Sequence, residues 1–359
     1  MLFRGKKLTV SVFGQSHGPA IGAVVDGLPS GFRIDQNALQ AFMARRAPGQ
    51  GKYATARKEG DFPEFLSGLN EQGITCGAPL CGVIRNGDTR SRDYDQFSRI
   101  PRPSHADYPA KVRYGESFDI RGGGPFSGRL TAPVCIAGGV ALQMLREKGI
   151  RVGAHIASIG SQRDLRFDPV RVSEEDLETI AQNGFPTISP EMGEEMLAEI
   201  ENARKAGDSV GGTVEAAALG LPTGIGGALF EGLESALAAA CMAIPAVRGV
   251  EFGDGFFAAI LKGSQHNDAY TLSGDRVVTR TNHAGGLVGG MTTGMPLILR
   301  VAFKPTPSIG MPQRTLDLEA RQETELTIHG RHDPCVVPRA VPVVEAMVAL
   351  VLLDELLSA

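Results

Sequence analysis

The chain has no tryptophan, and phenylalanine and tyrosine together make up only 6% of its 359 residues. A surface that stacks nucleic-acid bases needs aromatic platforms, so that class of function is excluded. Charge of one sign is also missing. With 36 basic and 40 acidic residues the net charge is −4, which creates no field drawing the chain to nucleic acid or to an anionic membrane. Cysteine is sparse and odd in number: Cys76, Cys81, Cys135, Cys241 and Cys335, with no C-x-x-C. Such spacing is neither a disulfide framework nor a zinc site, and it reads as a reduced, cytoplasmic protein. No apolar run reaches the ~18 residues of a membrane helix. The nearest, 343–353, is interrupted by Glu345, and the opening MLFRGKKLTV carries no signal-peptide core.

Glycine, by contrast, is abundant. Its 46 residues are nearly twice the usual share of ~7%, and they are scattered among apolar residues. That pattern excludes collagen and low complexity and implies tight turns and close backbone approaches. Several helices follow from caps and periodicity. Asp35 caps a segment with Leu39, Phe42 and Met43 on one face, ending before Pro48. Ser173 with Asp176 makes a capping box, and Gly184 closes that helix. Ser189-Pro190 opens another, with Met192, Met196, Leu197 and Ile200 as its buried stripe and Gly207 as its end. The segments 233–243 and 343–357 are apolar all round and read as buried helices. Strands are expected at 8–13, 22–26, 211–218, 277–281 and 297–303. Two of them share the pattern G-x-V…G-L-P-x-G, GAVVDGLPSG at 22–31 and GTVEAAALGLPTG at 212–224, which suggests two related halves. No linker divides the chain, so a single α+β domain over 1–359 is expected.

The chemistry-bearing residues fall in polar, glycine-rich segments between apolar elements. FGQSHG (13–18) follows a strand and presents Ser16 and His17. RRAPGQGK (45–52), with Arg57 beyond, gathers cations around a Pro-Gly turn and suits phosphate or carboxylate. RPSHADY (102–108) holds His105. In RGGGPFSGR (121–129), successive glycines can turn backbone N–H groups toward an anion, with Ser127 and Arg129 adding donors. This run is neither G-x-G-x-x-G nor a P-loop, so dinucleotide-binding and nucleotide-hydrolase readings do not apply. TNHAGGLVGG (281–290), FKPTPS (303–308) and GRHDPC (330–335), running on to Arg339, complete the set. From the residues alone, these segments describe a site for a multiply anionic small molecule with two or three histidines for proton transfer. His332 could equally be structural, and Cys335 has no companion ligands for a metal.

Together these motifs, with AGDSVGG (206–212), RGVEFGDGF (248–256) and the run from Gly330 to Met347, resemble the chorismate synthase family in order and spacing over nearly the whole chain. The resemblance implies the last step of the shikimate pathway, in which 5-enolpyruvylshikimate 3-phosphate loses phosphate and a C6 proton in an anti-1,4-elimination that requires reduced FMN. It implies a β-α-β sandwich, with helices between two antiparallel sheets, and a homotetramer. It gives His17 as the acid at the leaving phosphate, His105 as the partner of reduced flavin, and Asp333, with Ser16 nearby, as the group assisting C6 deprotonation. Arg46, Lys52, Arg129 and Arg339 become substrate ligands. FMN contacts fall to Ser127, Ala246, Gly289, Lys304, Pro305, Thr306, Pro307, Ser308 and Arg331. With no nicotinamide fingerprint, an external flavin reductant is expected. The sequence departs from the family pattern at Gln15 (usually Glu), at Pro125-Phe126 (usually Arg-Ser) and at Leu130 (often Glu). The second departure removes a cation and a hydroxyl from the implied flavin pocket. Alternatives are a noncatalytic flavin- or phosphate-binding protein, which would have no use for three proton-transfer groups, and a phosphatase or another lyase.

Overall fold

The computed structural model describes residues 1–47, 60–87, 96–328 and 333–359. The N-terminal half opens with β1 (Leu2–Arg4), β2 (Thr9–Gly14) and β3 (Ala20–Asp26), followed by α1 (Gln36–Arg46), β4 (Glu64–Ser67) and β5 (Leu80–Arg85). The five strands form one antiparallel sheet in the order β1-β2-β3-β5-β4. Asp35 caps α1 as its sequence suggests, accepting from the backbone N–H groups of Asn37 and Ala38. A short helix, α2 (Asp107–Tyr114), precedes the glycine-rich turns, which lead directly into α3 (Thr131–Glu147).

The C-terminal half contributes β6 (Arg151–Ile159), β7 (Gln162–Arg163), α4 (Glu174–Gln182), α5 (Pro190–Lys205), β8 (Gly212–Leu219), α6 (Leu233–Met242) and β9 (Val247–Phe252). After α7 (Gly263–His266) come two hairpins, β10 (Tyr270–Ser273) with β11 (Arg276–Thr279), and β12 (Leu287–Val288) with β13 (Met291–Thr292). Then follow β14 (Leu297–Phe303), the hairpin β15 (Gln313–Asp317) and β16 (Gln322–Leu326), and α8 (Val337–Ser358). The second five-stranded antiparallel sheet runs β7-β6-β8-β14-β9. Ser173 and Asp176 make the expected capping box of α4, and Ser189 caps α5 with Pro190 in its first turn. The helix of α4 ends at Gln182, two residues before Gly184.

α3 packs on β3 and β5 of the first sheet, α8 on β6 and β8 of the second, and α3 and α8 pack on each other, with α1 against both. Small residues allow that closeness, because a Cβ on Gly138 of α3 would collide with Ala346 of α8. The segment Gly128–Glu147, although apolar and long enough to cross a membrane, is a core helix: 83% of its apolar window is buried in the fold. α8 is buried nearly all round and starts at Val337, six residues before the run read from hydropathy, because Pro338 lies in its first turn. Its Glu345 is 2% exposed and pairs bidentately with Arg45 at 2.7 and 2.8 Å. Arg45 is therefore part of the α1–α8 packing and not a ligand-binding cation. At the far end of α8, Asp354 accepts from the backbone N–H groups of Lys6, Lys7 and Leu8 at 2.7, 2.8 and 2.7 Å, tying the start of the first sheet to the last helix.

Candidate active site

Ser16 and His17 lie in the loop after β2. Asn86 fixes that loop by donating to the carbonyls of Gln15 (3.2 Å) and Gly18 (2.8 Å). The run from Gly122 to Gly124 packs against it. All three glycines have positive φ, +62°, +84° and +54°, where a side chain is strained. At Gly122 space forbids one as well, because a Cβ there would overlap the His17 ring and lie 2.5 Å from Ser16 Oγ; one on Gly123 would only touch His105 Cε1 and Nε2, at 3.5 Å. The glycine run thus lets both histidines close on the same short stretch of backbone.

His105 is held in the turn before α2. Its Nδ1 lies 2.6 Å from Asp107 Oδ1. Arg102 Nη2, which can only donate, lies 3.0 Å from the same nitrogen, but Asp107 is nearer and a carboxylate cannot donate, so Nδ1 carries the proton and Nε2 faces the glycines. Arg102 grips the same carboxylate twice at 2.8 Å and donates to Ser308 Oγ at 3.1 Å. Burial pushes the Asp107 carboxyl up, but the hydrogen bonds from Arg102 and His105 outweigh it and hold the group well below the usual carboxylate range. The H-x-D spacing in RPSHADY is the signal of this pair; within a turn, two residues suffice to bring them into contact.

The cations gather nearby. Arg46, at the end of α1, and Arg129, in the turn capped by Ser127 Oγ, are buried at 2% and 5% exposure. Both pair with Asp61. Burial pushes the Arg46 guanidinium down to about 10, against the pull of Asp61 and with the help of Arg339 and Arg129. Arg339, in the first turns of α8, pairs with Asp333 and donates to the Arg46 carbonyl at 3.1 Å. On the other side, Lys304 donates to the Ser104 carbonyl at 2.6 Å, and burial together with nearby Arg248 lowers its pKa. Thr306 Oγ1 donates to the Asp333 carbonyl at 2.8 Å. Ala246 is held at φ +73°, a strained value for a residue with a side chain, and its carbonyl accepts from Lys304 N at 2.9 Å.

These groups share one cavity of about 1370 Å³. Of the residues singled out from sequence, Ser16, Arg46, His105, Ser127, Arg129 and Asp333 are on its wall. So are Ala246, Lys304, Thr306, Pro307, Ser308 and Arg339. His17 stands one residue behind Ser16, against Gly122. Pro305 lies within the FKPTPS run but off the wall, and Gly289 lies in the β12–β13 turn, away from the cavity. Lys52 and Arg331, like Arg57 and His332, lie outside the described residues. The 281–290 motif is not on the wall either. His283 Nδ1 is 2.8 Å from Asp254 Oδ2, and its backbone N–H donates to Asp268, so its polarity serves a loop scaffold. Cys335 is buried, which pushes its thiol up to about 12. Asp61, Asn86, Arg102 and Asp107 escape the sequence reading; only the last two had a local signal.

Phe126, which departs from the family pattern, is 40% exposed and lines the cavity rather than the core. It clusters with Tyr114 and Phe118 at centroid distances of 6.4 and 6.1 Å.

A cavity whose wall carries the Arg46, Arg129 and Arg339 guanidiniums, two acid–base candidates and a glycine run defines an enzyme acting on a small anionic molecule. Comparison with known proteins agrees. The chorismate synthase family model matches residues 8–357. Chorismate synthases of Thermococcus gammatolerans and Thermococcus kodakarensis are 48% and 49% identical over 99% of this chain and 97% of each relative. That of Lancefieldella parvula is 43% identical over 99% of the chain and 96% of its own length. A crystal structure of chorismate synthase superposes with a TM-score of 0.76 at 28% identity, covering 99% of this chain and 93% of that one. The protein is a carbon–oxygen lyase. The chain belongs to the chorismate synthase family.

Proposed function

We propose that this cavity binds 5-enolpyruvylshikimate 3-phosphate beside reduced FMN and catalyses the anti-1,4-elimination that gives chorismate and phosphate, the closing step of the shikimate pathway. One observation carries the reading: His17 and His105 meet the same glycine run, next to three guanidiniums on one wall. The residues fit two anionic ligands. The cavity exceeds the ~300–1,000 Å³ usual for one small molecule. Arg46, Arg129 and Arg339, with Lys52, would take the phosphate and carboxylates of the substrate. Lys304, Ser127, Ala246, Thr306, Pro307 and Ser308, with Arg331, would hold FMN, and Phe126 and Tyr114 offer apolar area to its ring. Pro305 and Gly289 are assigned to FMN on the family resemblance alone.

When bound, reduced FMN supplies transient electron density to the substrate as the C–O bond breaks. In the net step the C3–O bond breaks and its electron pair leaves with phosphate. C6 gives up its proton, and a new ring double bond forms without net oxidation. His17 donates a proton to the leaving phosphate, and fixed cations stabilise the charge that develops there. Asp333 assists the removal of the C6 proton. His105, with Nδ1 committed to Asp107, holds its second proton site, Nε2, for the cofactor.

We read the two sheets as related halves of a β-α-β sandwich, supported by the shared G-L-P-x-G turns. A homotetramer in the cytoplasm is supported by exposed apolar side chains such as Phe230, Phe256, Ile260 and Leu272, and by five cysteines left as thiols. The reductant is external. Chorismate absorbance in anaerobic buffer tests the reading: turnover with reduced FMN and none with oxidised FMN is expected, and full activity without flavin refutes it.

A further inference from the structure

Behind the two arginines on the cavity wall stands one carboxylate that does not itself reach the cavity. Asp61 is 2% exposed, and its side chain is fully enclosed. One carboxylate oxygen pairs with Arg46 Nη1 and the other with Arg129 Nη1. An arginine–carboxylate pair is frequently bidentate, with one guanidinium held by both oxygens. Asp61 instead divides itself between two cations, and its O–O spacing resembles that between two oxygens of a phosphate.

The remaining contacts lock the same arrangement. Arg46 Nε donates to Thr131 Oγ1 at 3.0 Å, and that hydroxyl donates to the Gly128 carbonyl at 2.7 Å. Arg129 Nε donates to Asn86 Oδ1 at 3.3 Å, the same Asn86 that fixes the His17 loop. Asp61 has φ +47°, a strained backbone for a residue other than glycine. Arg46 and Arg129 reach the cavity, and Asp61 is not among its lining residues. Beside them, Arg339 is paired with Asp333.

We propose that Asp61 is a positioning residue: it fixes Arg46 and Arg129 as a matched pair of phosphate ligands while touching no ligand itself. This rests on the substrate reading above and names a residue that the family motifs did not single out. Without the carboxylate, the two guanidiniums face each other unshielded and must separate, and the geometry needed to grip one phosphate is lost. The pull that keeps Arg46 charged despite burial is lost with it.

The test compares the full chain with Asp61→Asn and Asp61→Glu, using 5-enolpyruvylshikimate 3-phosphate and reduced FMN. Asp61→Asn should raise KM by about 30-fold or more. Its kcat/KM should fall with rising pH earlier than that of the wild type, whose Arg46 lies at about 10, while FMN affinity stays unchanged. Asp61→Glu restores the charge but spreads the arginines, so it should raise KM by only about 3- to 10-fold and keep the wild-type pH profile. Wild-type KM in both variants, whatever their melting temperatures, overturns the proposal. If Asp61→Asn does not fold, the KM of Asp61→Glu decides. A wild type with no turnover refutes the substrate reading instead, and inorganic phosphate titrated by calorimetry then carries the test. A Kd weakened in the variants supports the role of Asp61, and an equal Kd overturns it.

Discussion

Gly122 and Gly274 have nearly the same φ, +62° and +61°, and differ in what surrounds them. A Cβ on Gly274 would meet nothing within 4 Å, whereas one on Gly122 would run into His17 and Ser16. Either change to alanine costs ~1–2 kcal/mol for placing an L-residue in the left-handed region. At ~2.1 cal/mol/K per residue, the 359-residue chain unfolds with an entropy of roughly 0.75 kcal/mol/K, so that cost lowers Tm by about 1–3 °C. Gly274→Ala should do this and nothing more. Gly122→Ala should in addition push the His17 ring aside by roughly an ångström, a displacement that costs ~10²-fold in rate. Scanning calorimetry and anaerobic initial rates of chorismate formation separate the two effects. If the variants melt alike and Gly122→Ala keeps kcat within about threefold of Gly274→Ala, the glycine run does not set the position of a catalytic histidine.

Three further outcomes are expected. Asp107→Asn replaces an acceptor-only carboxylate with an amide whose NH2 can face His105 Nδ1 and select the other tautomer, and it should lower kcat by ~10–10² while FMN still binds; unchanged kcat across pH 6–8 would reduce the pair to a structural contact. Phe126→Ser should weaken the FMN Kd, read by flavin fluorescence, at a nearly unchanged Tm; the reverse result would make the aromatic cluster a stabilising feature only. Stability should also depend on pH through the buried His155, whose Nδ1 and Nε2 each lie 3.1 Å from Asp164 and Glu215. Burial lowers its pKa, but those two carboxylates outweigh that effect and raise it, while Asp164 and Glu215 are themselves lowered. The histidine's contribution is therefore complete below its unfolded value near 6.5 and is lost as pH rises through the higher folded value. The carboxylates' contribution is complete above their unfolded values near 4 and is lost as pH falls through the lower folded ones. Melting temperature should decline above neutrality, and His155→Gln should flatten that limb; identical alkaline limbs would show that the cluster carries no such linkage.

Local chemistry was legible and long-range packing was not. Asp35, Ser173 with Asp176, and Ser189-Pro190 mark helix starts by side-chain contacts within four residues, and each is found in place. β14 occupies the expected 297–303 because its apolar run is short and bounded by turns. α3 gave no clear pattern, since it is buried on nearly every side and its Gly138 and Gly139 resemble breakers until Ala346 and Leu39 are seen against them. In the site, the motifs marked segments correctly but not their partners. His105 with Asp107 could be read two residues apart, whereas Asp61 meets Arg129 across 68 positions and nothing in its local sequence announces it. The His283 loop shows the opposite failure, a polar glycine-rich motif whose hydrogen bonds stay within its own scaffold.

α8 follows every other element in the chain, yet it fills the space beside α3 and the second sheet, and its Asp354 fastens the amides of residues 6–8. As the polypeptide leaves the ribosome, both sheets and α3 emerge before the helix that completes their shared core. Their apolar faces stay uncovered until residues 337–358 arrive, so the shared core closes only once α8 is made, and until then the emerging sheets expose aggregation-prone surface.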